Sequence, residues 1–167
     1  PSFTATARPD GLLILAGDEL GFTRTTRFGL ARALVRRWIG VDGIHFAGAA
    51  DGAAWFGDGV ALHVAREALL RGGLATPAEA LDDLQEHVAR FTLSPVGGLP
   101  NDEIGKRYAS SEPVRQLAED RGLRYAAEVD AAIQAKSGGK RALDDLLAAL
   151  LARAIPIVAD KIGRAHV

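Results

Sequence analysis

Apolar residues recurring at three- and four-residue intervals run through most of the chain, and they predict a mainly helical fold. Residues 26–39 carry Phe28, Ala31, Leu34, Val35 and Trp38 as one stripe, with Thr25 or Thr26 as cap and Gly40 as terminator. A second helix is expected over residues 52–71, ended by Gly72 and Gly73. Thr76-Pro77-Ala78-Glu79 then combines a capping hydroxyl, a first-turn proline and a glutamate three residues after the cap. The helix it starts has Leu81, Leu84, Val88 and Phe91 as its buried stripe, Asp82, Asp83, Glu86 and Arg90 toward water, and His87 beside the stripe.

Ser94-Pro95 through Leu99-Pro100 reads as a loop, and Asn101 or Asp102 opens a single turn through Ile104. Ser111-Glu112-Pro113 begins a long fourth helix whose core face is Val114, Leu117, Tyr125, Val129 and Ile133, stopped by Gly138-Gly139. Leu143, Leu146, Leu147, Leu150 and Leu151 form the apolar seam of a fifth, and Ala154-Ile155-Pro156-Ile157 begins a further stretch. Residues 12–16, Leu-Leu-Ile-Leu-Ala between Gly11 and Gly17, read as one buried strand, whereas residues 1–10 are expected to be extended or disordered. The expectation is a mainly α architecture of about five helices and one short N-terminal strand.

Composition narrows the function classes. The chain has 167 residues, 48% of them hydrophobic, enough for one domain with its own core. Twenty basic against 21 acidic residues leave a formal charge of −1, so no pull toward nucleic acid or an acidic membrane surface is expected. The absence of cysteine excludes disulfides and thiolate metal sites. No uninterrupted apolar run reaches the roughly 18 residues of a membrane span, and a soluble chain is expected. Pro1 is not an initiator, which suggests a piece of a longer protein. Ile162 to Val167 resembles the translation of a sequencing-library adapter, so residues 1–161 are taken as the single domain, partial and peptidase-like, and 162–167 as an artefact. That removes His166 and leaves His45, His63 and His87 to consider, of which His45 reads as a hydrogen-bonded loop residue and His87 has no evident chemistry.

The first two helices carry the candidate chemistry. Arg32 and Arg36 lie four residues apart and therefore one above the other on the same helix, where two cations repel unless an anion is near. The segment Arg32-Ala33-Leu34-Val35-Arg36-Arg37-Trp38-Ile39-Gly40, followed by Ala54-Trp55-Phe56-Gly57-Asp58-Gly59, resembles the metal-binding core of the gluzincin zinc peptidases, above all the glycyl aminopeptidase family. In that family the first helix reads His-Glu-x-x-His and the second opens with Trp-Phe-x-Glu-Gly. The two histidines and the second glutamate hold zinc, and the first glutamate is the general base. The run from Gly122 to Leu147 is similar to that family's tyrosine helix and its successor, the tyrosine lying three residues before the glycine.

Aligned on this resemblance, the histidine positions hold Arg32 and Arg36, the general-base position Ala33, the third-ligand position Asp58 and the tyrosine position Glu119. A guanidinium has no lone pair to offer a metal. The resemblance therefore implies a catalytically inactive, pseudopeptidase-like domain with no cofactor, in which Asp58 pairs with Arg36 or Arg32 where zinc bridges the relatives' helices. Arg32 and Arg36 are also candidates for clamping a peptide carboxylate or small anion, and another domain of the full-length chain is a candidate partner. The alternative is an active zinc aminopeptidase in a different register, with His45, Asp58 and His63 as ligands, or one whose site is damaged in this fragment. His63 and Glu67, four apart on the second helix, are read as helix support.

Overall fold

In a computed structural model, residues 3–8, 11–17, 21–44 and 53–164 are described, with side chains as far as Arg153. The fold is mainly α, as the periodicity implies. Two strands, β1 (Phe3–Arg8) and β2 (Gly11–Ala16), precede six helices among the described residues: α1 (Arg24–Trp38), α2 (Ala61–Arg71), α3 (Pro77–Thr92), α4 (Asn101–Arg107), α5 (Glu112–Ser137) and α6 (Leu143–Arg164). A π-helical segment, Trp55–Val60, feeds straight into α2. The expected single turn after Pro100 is the seven-residue α4, which accounts for the sixth helix.

The N-terminal strand is not alone. β1 pairs antiparallel with β2, from Phe3 opposite Ala16 to Arg8 opposite Gly11, so part of the stretch expected to be extended or disordered is an ordered strand. Nor is β2 buried. The body of the molecule packs on β1 through α1, where Gly29 leaves room for the Phe3 ring, and Leu13, Ile14 and Leu15 on the outer strand stay exposed.

Helix α1 starts two residues earlier than its periodicity suggests, because Thr23 and not Thr25 or Thr26 is the cap: its Oγ1 accepts the Thr26 N–H. Its inward face is also rotated from the expected stripe. Thr26, Ala33 and Val35 are buried, whereas Trp38 is 60% exposed and Leu34 45%. The arginine-bearing face turns toward the neighbouring helices, and Leu34 and Trp38 are carried round to the outside. Similar trades occur on α3, where Leu81 and Val88 face solvent, and on α6, where Leu146 does. Tyr125, expected in the core, is 54% exposed and packs edge-on to Trp55.

Helix α5 organises the rest. It crosses the π-helical segment at a glycine pair: a Cβ on Gly122 would stand 1.8 Å from the Trp55 carbonyl oxygen, and one on Gly59 2.4 Å from the Gly122 Cα. Backbones can approach this closely only when neither residue has a side chain. On one side of the crossing Val35, Ile39, Val60, Ala61, Ala65, Ala126, Leu143 and Leu147 form one cluster. On the other, Ile104, Val114, Leu117 and Ala118 form a second. Helix α5 ends at Gly138 and Gly139, both with positive φ, as the Gly-Gly signal implies. Helix α6 continues unbroken past Pro156 to Arg164, through the stretch expected to begin something new and into the one set aside as an artefact.

Candidate functional site

Asp58 is the centre of the candidate site. It sits in the π-helical segment between Gly57, which lets the chain press against the Gly40 backbone, and Gly59, which meets Gly122. Squeezed from both sides, its side chain is 1% exposed. A buried carboxylate needs cationic or hydrogen-bonding partners to remain ionised. Arg36 Nη1 contacts Oδ1, Arg32 Nη2 lies 3.4 Å from the same oxygen, and the Tyr108 hydroxyl donates to Oδ2. The contact expected between Asp58 and the α1 arginines is therefore formed, by both of them.

Glu119, one turn before Gly122 on α5, completes the set by pairing with Arg32 through Oε1. Ala33, at the position read as that of a general base, is buried between the two arginines and offers only a methyl group. The five positions singled out by resemblance, Arg32, Ala33, Arg36, Asp58 and Glu119, thus gather where α1, the π-helical segment and α5 meet. Burial works against the charge on Arg32, but Glu119 and then Asp58 outweigh it and hold the guanidinium above its ordinary value. Burial, followed by the Asp58 charge, pushes the Tyr108 phenol far above the usual range, so it remains a neutral donor.

The ion pairs continue beyond the expected residues. Glu119 Oε2 accepts from Arg90 Nη2 at 3.1 Å, and Arg90 grips Asp120 with Nε at 2.7 Å and Nη2 at 2.6 Å. His87 Nδ1 stands 2.7 Å from Asp120 Oδ1. Arg90, expected to face water, and His87, expected to be idle, are thus members of one network with Arg32, Arg36, Asp58, Glu119 and Asp120. Burial opposes ionisation of Asp120, yet the His87 and Arg90 hydrogen bonds prevail and hold its carboxyl below the usual range. One signal did exist in the sequence: Asp83, His87 and Arg90 fall at intervals of four and three, a polar stripe on one helix face. For Tyr108, in a turn with no periodicity, there was none.

A cleft of about 480 Å³ opens over this cluster between β1 and α1, lined by residues 3–7, Arg32, Ala33, Arg36, Arg115 and Glu119. Its arginines are already paired, although the buried Nε of Arg36 meets no partner among the described residues. Arg36 is held by Asp58 and Arg32 by Glu119 and Asp58, while Arg115 bonds Glu112 and the Tyr108 and Ala109 carbonyls.

The donor set does not fit a zinc ion. Two guanidinium groups and a methyl stand at three of the four metal-core positions taken from the resemblance, and the carboxylate at the fourth is engaged by Arg32, Arg36 and Tyr108. Among the described residues no three His, Asp or Glu side chains converge as a ligand set. Of the residues in the other register, Asp58 pairs with the α1 arginines and His63 faces Asp130 on α5, with Nε2 at 3.3 Å from Oδ2. His45 lies outside the described residues. No helix among them is long and apolar enough to cross a membrane. A scan against protein-family models finds no match to this chain, and a search of curated proteins finds none either.

Proposed function

We propose that this chain is a catalytically silent, gluzincin-like aminopeptidase domain, in which a charge cluster takes over the bridging role of the metal. The observation that carries this reading is the buried Asp58 carboxylate, held between Arg36 and Arg32 of α1 and the Tyr108 hydroxyl. The same positions, filled by zinc ligands in the family the sequence resembles, would tie the same two helices through an ion. With arginines at the ligand positions no metal is held to activate water, and with Ala33 at the base position nothing takes a proton from it.

In this reading the cleft above the cluster is what remains of a peptide-binding groove. A carboxylate-bearing peptide or a small anion entering it competes with Asp58 and Glu119 for the guanidinium groups, so affinity is weak unless the incoming group bridges both arginines. Metal analysis of the purified chain, paired with an aminopeptidase assay in added zinc, tests the reading directly. The expected result is no stoichiometric metal and no hydrolysis. Stoichiometric zinc with turnover would sink it and return the chain to the active peptidases. Titration of a short acidic peptide against the wild type and Arg36→Ala tests the retained groove, with loss of heat in the variant as the expected outcome.

A further inference from the structure

We infer that the His63–Asp130 pair is an acid-sensitive latch that fastens the start of α6 to the α2–α5 pair. One carboxylate joins three helices. Asp130 Oδ2 faces His63 Nε2 of α2 at 3.3 Å and Gln134 Nε2 at 2.9 Å, while Oδ1 accepts the Leu143 N–H at 2.7 Å. Leu143 is the first residue of α6, whose leading amides have no partner within their own helix, so Asp130 caps α6 from a neighbouring one. Leu143 and Leu147 then belong to the same buried cluster as Ala61 and Ala65 of α2.

The weak point of the latch is the other ring nitrogen. A carboxylate only accepts, so the His63 proton belongs on Nε2 and the lone pair on Nδ1. Nδ1 is buried and meets no hydrogen-bond partner among the described residues, and the side chain as a whole is 7% exposed. A second proton would therefore create a charged imidazole with an unpaired buried N–H.

The charged groups around His63 are Arg66 and Glu67 on α2 and Asp130 on α5, while the first turn of α6 brings Asp144 and Asp145. Asp144 is turned to Arg71 and Asp145 to the Ala142 amide, so neither serves Nδ1. Burial, and after it the Arg66 charge, hold the imidazole below its ordinary value of 6.5. The Leu143, Gln134 and His63 bonds overcome the burial of Asp130 and keep its carboxyl below the usual range, so it remains ionised while His63 titrates. Lifting the first turn of α6 admits water to the ring. Proton uptake is then coupled to that opening, and acid favours the lifted state.

Hydrogen exchange by NMR on the whole chain, from about pH 7.5 to about 5.5 and corrected for intrinsic rates, reads the latch. Protection at Leu143 and the following turn should fall by up to about tenfold for each pH unit below the ordinary imidazole value, with α1 and the middle of α5 unchanged. His63→Gln keeps a donor for Asp130 and removes the titration, so its α6 protection should not respond to pH. An equal fall in that variant, or none in the wild type, overturns the proposal. Should the variant not fold, the wild type still decides: the Leu143 amide shift must follow the His63 ring titration, and an amide that ignores it overturns the latch.

Discussion

Asp58 is the residue on which the most depends, because removing this buried carboxylate takes from Arg36 the anion it pairs with and from Arg32 one of two. Asp58→Ala should destabilise the fold by about 3 kcal/mol or more, read as a lower urea midpoint, whereas a charge pair on the surface would cost well under 1 kcal/mol. A loss of that smaller size would show that the arginines find water or other anions easily, and that the cluster does not bridge the helices. Tyr108 belongs to the same group. Its folded-state pKa is raised, so its contribution is full below the ordinary phenol value of 10.0 and is lost as the pH rises through the folded value. Spectrophotometric titration near 295 nm should show one of the two tyrosines ionising late, and Tyr108→Phe should abolish that late step while costing about 1.5 kcal/mol. Arg32 and Arg36 were legible in the sequence, since four-residue spacing puts both arginines on one helix face whatever lies opposite, whereas Asp58 was singled out by the resemblance alone. Tyr108 was not, because a turn residue fifty positions from Asp58 approaches it only after α4 and α5 have docked.

Among the elements, the crossing of α5 over the π-helical segment sets the geometry of the site. Gly59 and Gly122 let the two backbones touch, which presses Asp58 against α1 and brings Glu119 within reach of Arg32. Gly122→Ala has nowhere to put its methyl group, the nearest obstacle being a carbonyl oxygen that no rotamer can move. A loss of about 3 kcal/mol is expected by thermal or urea unfolding. Gly138→Ala, with open space around it but a positive φ of 61°, should cost about 1 kcal/mol. If both cost the same, the crossing is looser than the geometry indicates. Helix existence followed from periodicity, and α3 from its capping box, which forms between Thr76 and Glu79. The orientation of α1 did not follow. Its apolar stripe through Leu34 and Trp38 and its polar stripe through Arg32 and Arg36 were both available to face inward, and only the buried anion opposite chose between them.

Across the whole molecule, three cations (Arg32, Arg36, Arg90) and three carboxylates (Asp58, Glu119, Asp120) run in one chain from the π-helical segment to α3. Stability should therefore respond to acid in two windows. His63 has a lowered folded pKa, so its contribution is full above 6.5 and declines as the pH falls below that value. Asp120 and Asp130 are lowered as well, and theirs is lost below 3.8. Urea unfolding from about pH 8 to about pH 3 should show a shallow decline, then a steep one, and a flat profile to pH 4 would contradict the His63 assignment. The hairpin shows the opposite case of a pattern misread. An unbroken apolar run reads as a buried strand, yet β2 lies outside β1 with three of its large side chains in solvent, because α1 packs on β1.

By itself the sequence determined that this chain is helical, where most helices start and stop, and that two arginines stand one turn apart on the first helix with an alanine beside them. Those properties are written in spacing and side-chain chemistry, which neighbours along the chain decide. Only the tertiary structure decided which face of each helix turns inward, that Tyr108, His87, Arg90 and Asp120 belong to or adjoin the same charge cluster, and that Asp130 holds α6. These depend on groups dozens of residues apart being brought to within a few ångströms, and the desolvation of Asp58 and Asp120, not local propensity, determines which partners they take.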